Sequence, residues 1–231
     1  MITAAAICPC PPLLARELTG QAEVLPDLRA ACAAAVARLA AAAPDVIVVT
    51  GPAEETASWP ADGRLDLTRY APALGRPGRG PWLPLSLGLG ARLLDEAGYG
   101  GPRSFRAVAA LAPPGDCLRL GAEIAATAPR VALLAMGDGS ARRSESAPGY
   151  LDERAAPFDE AVERAVRDGD LGVLAALDPA LAQELLAAGR PAWQVLAGAL
   201  AGLPLATEVS YAGAPFGVGY LVATLAPVRV G

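Results

Sequence analysis

The segment from Gly137 to Arg143 holds the densest group of side chains that could do chemistry. It reads Gly-Asp-Gly-Ser-Ala-Arg-Arg and places a carboxylate and a hydroxyl beside two glycines and two guanidiniums. Backbone amides of such a loop, together with bidentate arginine contacts, could bind a carboxylate or a phosphate. The candidate ligand-binding residues are therefore Gly137, Asp138, Gly139, Ser140, Arg142 and Arg143. Asp138 and Ser140 are also the candidate catalytic groups.

The same segment has a simpler interpretation, which the sequence leaves open. It could be a glycine-rich surface turn whose arginines are solvated or paired with acidic neighbours. Those neighbours are Glu145, Asp152 and Glu153.

Cys10 is the first candidate metal ligand. It lies in the segment Cys8-Pro9-Cys10-Pro11-Pro12, which follows a predicted strand, and two thiolates there could bind a soft metal. A structural zinc site needs four protein ligands, however, and the remaining cysteines, Cys32 and Cys117, lie in helical patterns elsewhere. Small cysteines at the end of a strand also pack as apolar core residues.

Two glutamates are the other candidate metal ligands. Glu54 stands beside Glu55 after the second predicted strand. Glu184 lies between leucines in a helical pattern, where a solvated polar face is the ordinary expectation.

The chain lacks two residue types on which many mechanisms depend. Among its 231 residues there is no histidine, and all 19 basic residues are arginine. Without histidine there is no Ser-His-Asp or Cys-His arrangement, no HExxH zinc helix and no histidine-bearing iron triad. Without lysine there is no Schiff base, no pyridoxal-phosphate anchor and no phosphate-loop lysine.

The elements that would position these groups are predicted from apolar patterns. Val46–Thr50 and Val131–Met136 are continuous apolar runs followed by glycine, which is typical of strands buried on both faces of a parallel sheet. Ile2–Ile7 and Phe105–Leu111 predict companion strands. Helical spacing between the strands gives the order β-α-β-α-β-α-β, with one helix beginning after Pro26 and another ending before Gly98.

The C-terminal third predicts three helices and a β-hairpin. Pro157 opens the first helix, and Asp178-Pro179 provides the N-cap and first-turn proline of the second, which ends at Gly189. The remaining elements are a helix from Pro191 to about Leu200 and hairpin strands at Thr207–Tyr211 and Gly217–Leu225. The predicted fold class is three-layer α/β, with a mostly parallel central sheet, flanking helices and this terminal hairpin.

Two stretches fit no element. Pro52–Pro84 is rich in glycine, proline and arginine and is expected to cross the surface flexibly. Gly137–Pro157 leaves the carboxyl end of a buried strand, the edge at which open α/β sheets bind ligands. If the strands are parallel neighbours, the loops after the first, second and fourth strands converge there on one cleft.

Composition narrows the class of protein. The length and the 53% hydrophobic content suit one domain over residues 1–231. A net charge of −5 without a basic cluster argues against nucleic-acid binding, and no apolar stretch has the length of a membrane span. Cys8, Cys10, Cys32 and Cys117 fit no disulfide framework in a domain of this size. We expect a soluble, cytoplasmic protein that binds a small molecule or forms a homodimer.

Four segments together resemble a known family. They are Ala4–Leu14, Met136–Arg143, Ala147–Asp152 and Pro215–Tyr220. They are similar to the subunit-B-like branch of the class III extradiol ring-cleavage dioxygenases, the LigB-type superfamily, as found in high-GC actinobacteria. The resemblance spans nearly the whole chain. It implies an α/β fold around a mostly parallel sheet, and insertion of dioxygen into catechol-type rings at a non-haem ferrous iron.

The resemblance also implies a site that this chain does not complete. In the family two histidines and a carboxylate hold the iron. The first histidine position matches Cys10, the second falls within Gly51–Glu55, and the histidine acting as acid and base falls on Ala141. The family's carboxylate lies shortly before a helical tryptophan, as Glu184 lies before Trp193. We therefore expect no bound cofactor.

Three functions remain in competition. The first is a degenerate or repurposed member of the superfamily, a possible pseudoenzyme, that binds a small aromatic or anionic metabolite. The second is an active oxidoreductase with an altered metal centre built from Cys10, Asp138 and one of the glutamates. The third is a non-catalytic structural or interaction protein.

Overall fold

A computed structural model describes residues 1–20, 22–75 and 79–228. Its strands are β1 (Ile2–Cys8), β2 (Val46–Ala53), β3 (Ala57–Trp59), β4 (Arg64–Leu65), β5 (Trp82–Leu83), β6 (Arg103–Ala109), β7 (Val131–Met136), β8 (Leu205–Gly213) and β9 (Tyr220–Pro227). Seven of them form one sheet in the order β3-β6-β2-β7-β1-β9-β8. The four central strands, β6, β2, β7 and β1, are parallel, and the three outer strands run antiparallel to their neighbours.

Helices cover both faces of this sheet. They are α1 (Arg16–Thr19), α2 (Pro26–Ala41), α3 (Leu85–Glu96), α4 (Pro114–Ala125), α5 (Ala155–Asp168), α6 (Leu171–Ala175), α7 (Pro179–Glu184) and α8 (Arg190–Ala199). The buried side chains of α2 and α3 pack in one apolar core, and those of α4, α5 and α8 pack in a second core on the opposite face. The fold is therefore three-layer α/β with a C-terminal hairpin, as predicted.

The strands form where the apolar runs predict them. Every residue of β7 is buried, because helices cover both of its faces and leave no side for polar residues. β6 begins two residues before the predicted Phe105 and ends at Ala109, because the chain turns there into α4. The strands β8 and β9 form the predicted terminal hairpin, but β9 begins at Tyr220 and not at Gly217, which lies in the turn.

Two predicted helix boundaries are wrong. α5 begins at Ala155, so Pro157 lies within its first turn, where its missing N–H costs no hydrogen bond. The helix capped by Asp178 ends at Glu184 and not at Gly189. Leu186, with a φ of 56°, is in the left-handed region, and this breaks the helix before the start of α8.

The stretch Pro52–Pro84 is more ordered than predicted. It contributes β3 to the edge of the main sheet, against β6. It also contains β4 and β5, which form a small parallel two-stranded sheet. Residues 76–78 of this stretch lie outside the described residues.

α4 and α8 pack with their backbones in contact. A Cβ atom on Gly121 would lie 2.0 Å from the carbonyl oxygen of Val195, and one on Gly198 would lie 2.2 Å from that of Leu118. Only glycine permits this approach, so the two glycines hold α8 in its place beneath the sheet. Within the part of the chain described above, no helix combines the length and apolar character needed to cross a bilayer.

Candidate functional site

The carboxyl ends of β1 and β7 form the centre of the candidate site. These strands are parallel neighbours, with Cys8 opposite Met136. After β1 the chain continues towards α2 on one face of the sheet, and after β7 it continues towards α5 on the other. Loops that leave adjacent strands for opposite faces open a crevice between them, which is where open α/β sheets bind ligands.

Cys10 and Asp138 meet in this crevice. The backbone N–H of Cys10 donates to Oδ1 of Asp138 at 2.7 Å. No described residue donates to Oδ2, and Asp138 as a whole residue is half-buried. Burial raises the pKa of Asp138 to about 7, although the hydrogen bond from Cys10 opposes the shift. Near neutral pH this carboxyl group therefore exists in both forms and can donate or accept a hydrogen bond.

Two weak acids surround Asp138. Burial raises the pKa of the Cys10 thiol well above its usual value, and the charge of Asp138 adds to the shift. Burial also raises the pKa of the Tyr220 phenol, with the charges of Asp138 and Cys10 as further causes. Both groups remain protonated at neutral pH, so Asp138 is the group in this cluster that changes charge there.

Five of the seven backbone amides from Gly137 to Arg143 are already occupied. The amides of Gly137, Gly139, Ala141 and Arg143 donate to the carbonyl oxygens of Cys8, Gly219, Leu185 and Gly217 at distances of 2.7–3.0 Å. The amide of Ser140 donates to Asp159 at 2.8 Å. These five donors dock the loop on the rest of the fold, so a carboxylate or phosphate could not use them unless the loop moved.

Asp159 on α5 organises the second half of this loop. Its Oδ2 accepts hydrogen bonds from the buried hydroxyl of Ser140 at 2.7 Å and from Nη1 of Arg143 at 3.1 Å. Burial raises the pKa of Asp159, while these donors oppose the rise. Sequence reasoning missed Asp159. The available signal was its position four residues after Ala155 and three before Val162, which places it on the buried face of α5.

The two arginines of the loop have different surroundings. Arg143 pairs with Asp159, not with the acidic neighbours suggested by the surface-turn interpretation. Arg142 has a buried Nε with no hydrogen-bond partner among the described residues. Asp152 instead pairs with Arg154 at 2.8 Å, and hydrogen bonds from Arg154 lower the pKa of Asp152 to about 2.

The glutamates predicted as metal ligands lie away from Cys10. Glu184 is the last residue of α7 and pairs with Arg154 at 2.7 Å on the surface, which matches the solvated face. Glu54 and Glu55 are exposed just beyond β2. The described residues contain no group of three or more histidine, cysteine, aspartate or glutamate side chains that could hold a metal ion.

These residues do not fit a ferrous site of the extradiol type. Such a site needs two imidazole nitrogens, and the chain encodes none. Among the described residues, one thiol and one carboxylate meet at the crevice, and that carboxylate already accepts a hydrogen bond from the Cys10 amide. This arrangement therefore does not support a reaction at iron.

α8 supports the site from beneath. The amide of Gly189 donates to the carbonyl oxygen of Asp138 at 2.7 Å, and the indole of Trp193 packs on Gly189. The side chain of Arg190, which sequence reasoning also missed, is buried and donates to Gln194 and to the carbonyl oxygens of Ala110 and Ala112 at 2.6–2.9 Å. The start of α8 thus joins the loops after β6 and β7.

Comparisons with known proteins identify the fold alone. No family model matches the chain, and no curated protein matches its sequence. Among solved structures, the chain is similar to the crystal structure of uncharacterized protein JW3007 from Escherichia coli K12, with a TM-score of 0.53 and 13% sequence identity. The match covers 97% of this chain and 99% of that one. The two chains share a fold. Because the match extends over both chains, it includes the central sheet as well as the hairpin.

Proposed function

We propose that this chain is a LigB-like protein that does not use ferrous iron and binds a small aromatic or anionic molecule at the carboxyl edge of its sheet. One observation carries the proposal: Asp138 lies in the crevice between β1 and β7 with a pKa of about 7 and an Oδ2 atom that accepts no hydrogen bond from a described residue. Strongly shifted ionisable groups in clefts are typical of functional sites. The sequence resemblance, with its incomplete set of iron ligands, supports the loss of the family's chemistry.

Asp138 can recognise either class of ligand through its protonation state. When ionised, it accepts a hydrogen bond from a phenolic hydroxyl group. When protonated, it donates a hydrogen bond to an anion such as a carboxylate. Binding of a phenol should therefore strengthen as the pH rises through about 7, and binding of an anion should strengthen as it falls.

Calorimetric titration with catechol and with benzoate at pH 6 and pH 8 tests this proposal. The wild type should bind at least one probe with the corresponding pH dependence, and Asp138→Asn should abolish that dependence. Asp62→Asn, which alters an exposed carboxylate, serves as the matched control. If neither probe binds, or if the pH dependence persists in Asp138→Asn, the proposed role of Asp138 is wrong.

Elemental analysis and oxygen uptake test the claim that the protein does not use ferrous iron. The purified protein should contain far less than one iron per chain and should leave catechol intact under air. Stoichiometric iron with ring opening would overturn the loss of iron chemistry. A stoichiometric metal that disappears in Cys10→Ala would favour the altered metal centre instead.

A further inference from the structure

A second small cavity lies behind the loop from Gly137 to Arg143. It has a volume of about 180 Å³ and opens between this loop, α5 and the hairpin of β8 and β9. Drug-sized ligands usually occupy pockets of about 300–1,000 Å³, so this cavity suits a smaller molecule. Its lining includes Arg143, Asp159, Glu160, Val162, Trp193 and Leu221.

Arg143 supplies unused hydrogen-bond donors to this lining. It donates from Nη1 to Asp159, while its Nε and Nη2 have no acceptor among the described residues. The Nε1–H of Trp193 also lacks an acceptor there, but the side chain is 1% exposed and this atom is out of a ligand's reach. A carboxylate is the acceptor that a guanidinium matches best.

The acidic residues of the cavity make a ligand that carries only negative charge unfavourable. Asp159 is neutralised by Arg143, and Glu163 pairs with Arg167 one turn along α5. Glu160 is exposed at the rim and has no ion-pair partner among the described residues. A negative ligand would be repelled by this carboxylate, whereas a ligand that also carries an ammonium group would be attracted to it.

Apolar side chains form the rest of the wall. Val162 and Leu221 line the cavity from α5 and β9, beside the ring of Trp193. We propose that this cavity binds a small α-amino acid with an aliphatic side chain, its carboxylate on Arg143 and its ammonium group facing Glu160. This inference goes beyond the proposed function, because its donors are not Asp138 or Cys10.

Three probes of matched skeleton test the inference by calorimetry. L-Valine carries both charged groups, 3-methylbutanoate lacks the ammonium group, and 2-methylpropylamine lacks the carboxylate. Valine should bind at least about tenfold more tightly than either analogue, because hydrogen bonds to charged groups commonly contribute that much. Equal binding of 3-methylbutanoate and valine, or no binding of valine, would overturn the proposal.

Variants identify which group each end of the ligand contacts. Arg143→Gln should weaken valine binding, because it removes the guanidinium that pairs with the ligand carboxylate. Glu160→Gln should reduce the preference for valine over 3-methylbutanoate, and since Glu160 is exposed this variant should fold normally. Glu123→Gln, on the exposed side of α4, should change nothing. Unchanged valine binding in Glu160→Gln or in folded Arg143→Gln would contradict the assignment. Loss of valine binding would leave the Asp138 titration test unaffected.

Discussion

Cys10 and Asp138 are 128 residues apart in sequence, yet a 2.7 Å hydrogen bond joins them across the ends of two adjacent strands. The bond holds Oδ1 of Asp138 in place, whereas Oδ2 accepts no hydrogen bond from a described residue. It also shows why this carboxyl group keeps a proton near neutrality, since one amide donor does not compensate for burial. Measurements of stability, reactivity and packing can each test a part of this arrangement.

The stability of the protein should fall with rising pH because of Asp138. In the unfolded chain an aspartate has a pKa of about 3.9, whereas the folded value is about 7. Between these values the unfolded state releases its proton and the folded state retains it, so the free energy of unfolding falls by about 2–4 kcal/mol as the pH rises. Urea denaturation at pH 4 to 8 should show that fall in the wild type and a smaller fall in Asp138→Asn, where the raised pKa of Asp159 still contributes. An equal fall in both proteins would contradict the raised pKa.

The native thiols should react slowly with alkylating reagents. Cys10 is 6% exposed, and Cys8, Cys32 and Cys117 are fully buried. Each unit by which a thiol pKa is raised lowers its reactive thiolate about tenfold, so modification at pH 8 should be at least about tenfold slower than in urea. An Ala30→Cys variant supplies an exposed thiol on α2 as an internal standard. If Cys10 reacts as fast as that thiol, it is not buried as described.

Removing the Ser140 hydroxyl should weaken the attachment of the loop from Gly137 to Arg143 to Asp159 on α5. Ser140→Ala deletes a buried hydrogen bond to Asp159, which should cost about 1–3 kcal/mol and raise the pKa of Asp159 further. Ser146→Ala, in an exposed part of the same loop, should cost less than about 0.5 kcal/mol. Denaturation of the two variants provides the comparison. Equal stabilities would show that the Ser140–Asp159 contact contributes nothing.

The buried guanidinium of Arg190 should be essential for stability. Arg190→Met keeps much of the volume but leaves the carbonyl oxygens of Ala110 and Ala112 without their donor. We expect a loss of about 2–5 kcal/mol, since several buried acceptors lose a charged partner. Arg119→Met, which removes exposed ion pairs on α4, should cost less than about 1 kcal/mol. A comparable effect of the two substitutions in thermal melts would be inconsistent with the buried network.

A single methyl group between α4 and α8 should be strongly destabilising. Gly121→Ala would place Cβ 2.0 Å from the carbonyl oxygen of Val195, so the helices would have to separate. Overpacking of this kind typically costs about 1–3 kcal/mol. Gly115→Ala, on the same helix but with open space around it, should be neutral or stabilising. The melting temperatures of the two variants should therefore move apart, and parallel shifts would contradict the close packing.

The fold was predictable because its central strands have a recognisable composition. Val46–Thr50 and Val131–Met136 are continuous apolar runs, and only strands covered on both faces accept such runs at this length. The helix ends at Pro157 and Gly189 were misplaced because they depend on tertiary context. Leu186 adopts a left-handed conformation that its residue type does not favour, and no local pattern indicates this.

The site was predictable only in part. The proximity of Cys10 and Asp138 follows from the parallel neighbours that the apolar runs indicate. The partners of the loop amides could not be inferred, because they depend on how the segment from Gly137 to Arg143 docks against Gly217 and Gly219 in the hairpin. Asp159 and Arg190 were missed for a related reason. A buried charge reveals itself in sequence only as a polar residue on an apolar helix face, which resembles an ordinary surface position.

The position of β1 in the sheet has a consequence for how the chain acquires its structure. β1 pairs with β7 and β9, which lie more than a hundred residues later in the chain. This apolar strand therefore stays unpaired during synthesis until those later strands have left the ribosome. Such long-range pairing slows folding and prolongs the exposure of aggregation-prone intermediates.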